Sequence, residues 1–361
     1  MNDPLYFHRP DYAAKLVNSL KDGIMHAFTL FAPRRMGKTK FLLNDIAPAA
    51  EEAGFNVFYF SFMDDNRDNL TQRFQAALYH FAQNINKISS AKTFISSVSK
   101  IDILGVGIER DTETKAIPPI SDIISAIAAV GRPSLLLLDE VQELARIKGT
   151  EGIIRALRTG LDINQNQVKT IFTGSSTHDL KAMFNNSRAP FFHFAHALDF
   201  PLLSRAFTDF LADIYHERTG NAADKNAFYE IFEKLNHTPM YMRAIVQDMI
   251  VNPDLSLHTA AVERLEQLNS QDGQIKEWQQ MRPLEQIILA DIAQNNNVSP
   301  YSNQRRKEYA LMLGVTNISS SSVQSALKRM ERHNWISRDM SGSLQINSPL
   351  LQIWIMAQDK R

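Results

Sequence analysis

Gly37, Lys38 and Thr39 follow the apolar run AFTLFAP and open an amphipathic segment, so a strand, a loop and a helix start are predicted to meet there. Backbone N–H groups at such a turn, together with the positive end of a helix, attract phosphate. The Lys38 ammonium can reach a β- or γ-phosphate, and the Thr39 hydroxyl can bind Mg²⁺. The triplet predicts a Mg-ATP site in which Lys38 has a catalytic role. The competing interpretation is an ordinary helix start that carries a surface lysine.

The predicted phosphate loop covers residues 32–39 and reads APRRMGKT, which departs from the pattern GxxxxGK[ST] at one position. Ala32 occupies the place of the first glycine. We therefore expect either a backbone torsion that alanine tolerates or a slightly altered turn. The residues predicted to bind the nucleotide in this loop are Ala32, Pro33, Arg34, Arg35, Met36, Gly37, Lys38 and Thr39.

Two carboxylates end the run LLLLDE, whose four leucines are typical of a strand in the interior of a parallel sheet. Asp139 is predicted to be a Mg²⁺ ligand together with Thr39. Glu140 is predicted to face the nucleotide and to polarise the attacking water as a general base. The alternative is a strand that ends in a solvated acidic turn.

Hydroxyl side chains follow the next apolar run, where residues 173–176 read TGSS. Ser175 is the candidate for a hydrogen bond to the γ-phosphate or to the attacking water, although serine and threonine also commonly satisfy turns. Arg243, in the segment NHTPMYMR, is predicted to contact the nucleotide, and it joins Arg34, Arg35 and Arg188 as a residue able to neutralise charge in the transition state.

The elements around these residues predict an α/β fold with a parallel sheet core. Apolar runs at 27–33, 56–62, 134–138 and 168–172 are predicted strands, and amphipathic helices separate them. A polar loop is predicted at 64–69 and a hairpin at 100–114. After Phe200 the pattern becomes helical. We predict a P-loop ATPase core over residues 1–200, a helical lid over 201–280 and a winged-helix domain over 281–361.

Composition excludes several classes of function. The 39 basic and 39 acidic side chains balance, so any nucleic-acid-binding surface must be local. The chain has no cysteine, which rules out disulfides, thiolate metal sites and a cysteine nucleophile. The segment MNDPLYFHRP lacks a signal-peptide core, and the apolar runs are shorter than the ~20 residues that span a bilayer. We expect a cytoplasmic protein with no membrane partner.

The predicted winged helix contains a candidate recognition helix, SSSSVQSALKRMER, at residues 319–332. Serines at its start favour capping, and Lys328, Arg329 and Arg332 give it a basic end. Residues 281–361 hold ten Lys or Arg against six Asp or Glu. DNA is therefore a candidate partner, and the alternative is a domain that contacts only protein, either a partner or this chain itself.

These motifs together resemble the archaeal-type ATPases, a branch of the P-loop NTPases close to the AAA and STAND classes. The resemblance covers nearly the whole chain and is carried by the following segments: the early Phe7, His8 and Arg9; the loop PRRMGKT; the run LLLLDE; TGSS followed by Met183 and Phe184; and the ending SPLLQIWI. It implies an ATP-dependent protein with a helical lid and a terminal winged helix. Similar proteins have a Gly-x-Pro turn in the lid, where this chain has His237, Thr238 and Pro239.

The sequence supports one leading hypothesis and two alternatives. The leading one is a Mg-dependent ATPase that acts as a nucleotide-driven switch coupled to the winged helix. The second is a DNA-associated regulator in which ATP sets the state of assembly. The third is a protein-interaction scaffold that binds ATP and barely hydrolyses it.

Overall fold

The computed structural model describes residues 3–63, 69–88, 117–147, 149–174, 183–184, 189, 191–271, 274–295, 298–333, 335–338 and 342–358. The predicted hairpin at 100–114 and the predicted loop at 64–69, apart from Asn69, lie outside these ranges. The chain forms two compact units. We call them the sheet unit, which is His8–Ala32 with Lys38–Phe200, and the helical unit, which is Met1–Phe7 with Pro33–Gly37 and Pro201–Arg361.

The sheet unit is built on a five-stranded parallel sheet in the order β2-β3-β4-β1-β5. Its strands are β1 Ala27–Phe31, β2 Asn56–Ser61, β3 Ser134–Asp139, β4 Val168–Gly174 and β5 His196–Asp199. Every residue of β1, β3 and β4 is buried, as expected for strands covered on both faces. The predicted α/β fold with a parallel sheet is confirmed, and β5 is a fifth strand that the sequence analysis missed.

Helices of the sheet unit bury their apolar sides against the sheet. A side chain at Gly160 would bring a Cβ to 3.0 Å from the Cα of Ser121, so glycine allows the helices carrying these residues to pack closely. The helices are α1 Pro10–Lys21, α2 Lys38–Phe41, α3 Ala47–Glu52, α4 Leu70–Ile88, α5 Ile120–Ala128, α6 Gln142–Arg146 and α7 Glu151–Ile163.

The helix that follows the phosphate loop is not regular. Between α2 and α3 the chain forms a π-helical segment, Leu42–Ile46, so the predicted helix from Lys38 toward Ala53 contains a wider turn. Pro48 lies at the start of α3 and has no N–H to donate to the preceding turn. A π-turn accommodates such a missing donor, and the buried Leu42 and Ile46 hold it against the core.

The described residues of the helical unit include two apolar clusters. The first combines Leu5 with residues between Leu203 and Ala261, among them the fully buried Phe207, Phe232 and Tyr241. The helices of this part are α8 Arg205–Thr219, α9 Lys225–Lys234, α10 Pro239–Val251, α11 Leu257–Gln271 and α12 Gln274–Gln280.

The second cluster joins residues between Met281 and Ile355. In chain order, three helices precede a two-stranded antiparallel sheet, and a further helix follows it. Ser319 caps the third helix by accepting a hydrogen bond from the Ser322 N–H at 3.1 Å. The elements are α13 Pro283–Gln294, α14 Asn303–Leu313, α15 Ser320–Arg332, β6 Ile336–Arg338, β7 Leu344–Ile346 and α16 Pro349–Gln358.

The predicted division into domains at residues 200 and 280 stays a prediction, as does the designation of the C-terminal part as a winged helix. Residues 201–280 and 281–361 lie in one compact unit, in which each has its own apolar cluster. Within the described ranges, no helix has both the length and the apolar character needed to cross a membrane.

Candidate functional site

Asp139 is the centre of a hydrogen-bonded group at the carboxyl edge of the sheet. It ends β3 and is 1% exposed. The Thr39 hydroxyl donates to its Oδ2 at 2.6 Å, and the Tyr59 hydroxyl donates to the same oxygen at 3.2 Å. The Thr173 hydroxyl donates to Oδ1. The predicted pair of Thr39 and Asp139 is therefore brought into contact.

The order of the strands explains this group. β4 lies between β1, which leads into the phosphate loop, and β3, which carries the carboxylate. The register pairs Phe31 with Gly174 and Leu138 with Phe172, so the end of β4 lies beside the end of both neighbours. All three chain ends meet at one edge because the strands are parallel.

Within the predicted phosphate loop, the side chain of Lys38 folds back toward Ala32, the first residue of the loop. Lys38 is 5% exposed, and its ammonium donates to the carbonyl oxygen of Ala32 at 2.8 Å. Ala32 does not have a positive φ. This turn therefore needs no glycine at the first position of the motif, which resolves the expectation about Ala32 in favour of a torsion that alanine adopts readily.

Two loop residues do adopt the left-handed region. Gly37 has a φ of 89°, which glycine tolerates, and Arg35 has a φ of 71°, which costs an L-residue about 1 kcal/mol or more. Contacts within the helical unit hold Arg35: its guanidinium donates to the Tyr241 hydroxyl, and its Cζ lies 5.3 Å from the centre of the Tyr241 ring. Of the remaining loop residues, Met36 is buried, Pro33 is half-buried and Arg34 is exposed.

Glu140 also lies in the left-handed region, with a φ of 55°. This torsion turns the chain sharply after β3. The Val141 N–H donates to the Thr173 carbonyl at 3.1 Å, which ties the turn to β4. Gln142 then starts α6, and its side-chain amide donates to Glu140 Oε2 at 2.5 Å.

The chemistry of the donor set fits Mg²⁺. Thr39 offers a hydroxyl oxygen and Asp139 a carboxylate oxygen, 2.6 Å apart, and hard oxygen ligands are those that Mg²⁺ prefers. The ion characteristically keeps several waters and binds few protein groups, so two side chains are a sufficient set.

The roles of all the predicted site residues stay predictions, and four further candidates have the following positions. Ser175 and Arg188 lie outside the described residues. Arg243 forms an ion pair with Asp3, with 2.7 Å between guanidinium and carboxylate. His237, at the glycine position of the lid turn, has a φ of 50°, so here a histidine adopts the left-handed torsion in which glycine is favoured.

Sequence reasoning missed three contacts of this site. Tyr59 is half-buried in β2, and its hydroxyl is aimed at Asp139 by the pairing of Ser61 with Asp139. Thr173 was noted only as one hydroxyl of a segment. Gln142 carried no motif. The sequence offered one signal for these three residues, which is their position. Each lies within three residues of the carboxyl end of a strand or of Glu140.

Comparison with solved structures identifies the fold. The Walker-type ATPase PABY2304 of Pyrococcus abyssi superimposes with a TM-score of 0.66 at 18% identity, covering 97% of this chain and 96% of that one. The fold is that of the P-loop ATPases. The ORC2 protein of Aeropyrum pernix, in its ADPNP–ADP complexes, has a TM-score of 0.50 at 16% identity, with 98% and 94% of the two chains covered.

The ADP form of that ORC2 protein matches in the same way, with a TM-score of 0.50 at 15% identity over 98% and 95% of the two chains. No protein-family model matches the chain, and no curated protein sequence matches it. At these identities the comparison establishes the P-loop ATPase fold over almost the whole chain. The activity has to be argued from the site.

Proposed function

We propose that this protein binds and hydrolyses Mg-ATP, with residues 32–39 as the phosphate loop. The observation that carries the proposal is the contact between Thr39 and Asp139, 2.6 Å apart at the end of β3, beside a buried Lys38. A P-loop ATPase needs a hydroxyl, a carboxylate and a lysine at one edge of the sheet. The ORC2 structures in complex with ADPNP and ADP add support from a protein of the same fold.

Each residue has a role in this proposal. The loop N–H groups and Lys38 bind the phosphates, and Thr39 and Asp139 hold Mg²⁺, which when bound supplies positive charge to the phosphate oxygens. Glu140 accepts a proton from water as the water oxygen bonds to the γ-phosphorus. The bond from that phosphorus to the bridging oxygen breaks, and ADP leaves with the oxygen.

We further propose that hydrolysis or nucleotide exchange acts as a switch on the C-terminal residues. A DNA-associated function is the second candidate, and the exposed face of α15 favours it. Gln324, Ser325, Lys328 and Arg332 lie on that face at helical spacing and are exposed. Small polar and basic side chains of this kind can contact phosphates and base edges. A protein partner, or a second copy of this chain, is the alternative occupant.

The proposal is tested by steady-state ATP hydrolysis with Mg²⁺, with and without duplex DNA. Glu140→Gln should keep ATP binding and lower kcat by about 10²- to 10⁴-fold, because an amide cannot accept the proton. Lys38→Ala should abolish ATP binding. Glu151→Gln is the matched control, since Glu151 is an exposed residue of α7, and its turnover should equal that of the unmodified protein.

Three outcomes separate the candidates. Turnover that depends on Glu140 and rises with DNA supports a DNA-coupled ATPase. Turnover that depends on Glu140 and ignores DNA directs the search to a protein partner. ATP binding that depends on Lys38, with negligible turnover in the unmodified protein, supports the scaffold. Separately, unchanged turnover in Glu140→Gln would exclude Glu140 as the base.

A further inference from the structure

Gln142 is a buried polar residue that the proposed chemistry does not use. It is 0% exposed and lies two residues after Glu140, at the first position of α6. Its amide nitrogen donates to Glu140 Oε2 at 2.5 Å. Its carbonyl oxygen, Oε1, is buried without a hydrogen-bond partner in the described part of the chain.

The charge of the neighbour fixes the orientation of this amide. A flipped side chain would set the Gln142 carbonyl oxygen against the Glu140 carboxylate, and two acceptors repel each other. The amide nitrogen must therefore face Glu140, because a glutamine amide offers donors on one side only. The unpartnered carbonyl is the consequence of this orientation.

Packing alone does not explain a glutamine here. A buried carbonyl oxygen without a donor reduces stability, and an apolar side chain of similar shape would avoid that cost. Methionine has nearly the length and volume of glutamine and adapts to irregular surroundings. What glutamine provides and methionine does not is the hydrogen bond to Glu140.

The backbone presents both side chains to each other. Glu140 has a positive φ of 55°, and its carbonyl oxygen accepts the Glu143 N–H at 3.0 Å. The turn is fixed to β4 through Val141 and Thr173. The main chain of the turn is therefore held from two sides, and the Gln142 amide adds a hydrogen bond that restricts the carboxylate of Glu140.

We propose that Gln142 is a positioning residue that orients the carboxylate of Glu140 for proton transfer from the attacking water. This inference rests on the proposed function, because it assigns Gln142 a role through Glu140. It predicts a loss in kcat without a loss in nucleotide binding, since the hydrogen bond of Gln142 is to the proposed base, Glu140, which acts on water.

The test replaces Gln142 by methionine in the full chain. Gln142→Met should lower kcat at least about tenfold, because an unoriented base loses part of the general-base contribution. The Kd for ATP, measured by equilibrium titration, and the Tm should not fall. Gln165→Met is the matched control, because Gln165 is exposed in the turn before β4, and it should change neither kcat nor Kd.

A double substitution tests whether the effect passes through Glu140. In the Glu140→Gln background, Gln142→Met should have no further effect on kcat, because the group that it orients no longer acts as a base. An unchanged or higher kcat in Gln142→Met overturns the proposal, as does a further loss in the double variant. A Glu140→Gln variant that keeps full turnover instead removes the proposed function itself, so the two failures are distinguishable.

Discussion

A carboxylate that is 1% exposed needs several donors, and Asp139 has three hydroxyl groups around it. Desolvation of an ionised carboxylate is costly unless hydrogen bonds replace the water. Thr39 and Tyr59 share one oxygen, whereas Thr173 serves the other. Thr39 can bind a metal ion through a lone pair of its hydroxyl oxygen while its proton is still donated to Asp139 Oδ2. Thr173 donates to the other oxygen, so we expect it to help fix the orientation of the carboxylate that is proposed to bind Mg²⁺.

Thr173→Val tests this residue against a matched control in the same strand. Removal of the Thr173 hydroxyl leaves a buried carboxylate oxygen without its donor and should destabilise the protein by about 1–3 kcal/mol. Thr170→Val should be neutral or stabilising, because the Thr170 hydroxyl is buried and has no hydrogen-bond partner among the described residues. Denaturant unfolding of the two variants measures the difference, and equal effects would contradict the assignment.

The motif residues of the site were predictable, and their supporting contacts were not. Lys38, Thr39 and Asp139 carry their chemistry in local spacing, which sequence shows directly. The contacts of Tyr59 and Thr173 depend on which strands are neighbours and on their register, and a sequence does not fix either. Gln142 reaches Glu140 only because Glu140 adopts a positive φ that few residues other than glycine adopt.

At the scale of elements, α15 uses its basic residues in two ways. Arg329 was expected to belong to the basic end of a recognition helix. Its guanidinium instead donates to both carboxylate oxygens of Glu285, at 3.0 and 2.8 Å, and lies near the ring of Trp335. Glu285 is 1% exposed. Arg332 and Lys328 are exposed on the same helix. The basic DNA-binding candidates on α15 are therefore these two residues, whereas Arg329 is held in an ion pair with the buried Glu285.

Arg329→Ala should lower the stability of the fold, whereas Arg332→Ala should leave stability unchanged and affect DNA binding. Arg329→Ala leaves the buried Glu285 carboxylate uncompensated and should destabilise the fold by about 3–5 kcal/mol. Arg332→Ala should leave stability within about 0.5 kcal/mol. If the chain binds DNA, Arg332→Ala should also weaken binding and reduce its dependence on salt by about one phosphate contact.

Denaturant unfolding and DNA titration at several salt concentrations measure these effects. Hydrogen exchange over residues 281–358 adds a local measurement, since Arg329→Ala should lower protection there. Equal stability of the two variants would mean that the Glu285 ion pair does not support the fold. A salt dependence that is the same with and without Arg332 would remove α15 as a phosphate-binding surface.

Elements with strong patterns were predicted, and weak ones were not. The four strands that were predicted are rich in apolar residues, whereas β5 reads HALD and has two exposed and two half-buried residues. A strand of this kind is defined by its pairing with β1 and not by its own composition. The π-helical segment before Pro48 was also not predictable from its own residues. The proline indicates that the regular α-helical hydrogen bonds are interrupted, but packing determines that the interruption is a π-turn.

At the scale of the whole molecule, the sequence separates into two compact units, and the phosphate loop belongs to both. Pro33–Gly37 groups with the helical unit, while Lys38 and Thr39 belong to the sheet unit. Arg35 and its contact with Tyr241 make Pro33–Gly37 part of the helical unit.

Mg-ATP should stabilise the protein by an amount that grows with the logarithm of the ligand concentration above Kd. At a ligand concentration of 100 times Kd, binding to the folded state alone adds about 2.7 kcal/mol, which calorimetry detects as a rise in Tm. Lys38→Ala should abolish the rise, and chelation of Mg²⁺ should reduce it, because Thr39 and Asp139 then contribute no metal bonds. Glu140→Gln should keep it in full, since Glu140 is proposed to act on water and not on binding. A rise in Tm that survives Lys38→Ala would place the nucleotide outside residues 32–39, whereas a rise lost in Glu140→Gln would make that carboxylate part of the binding site.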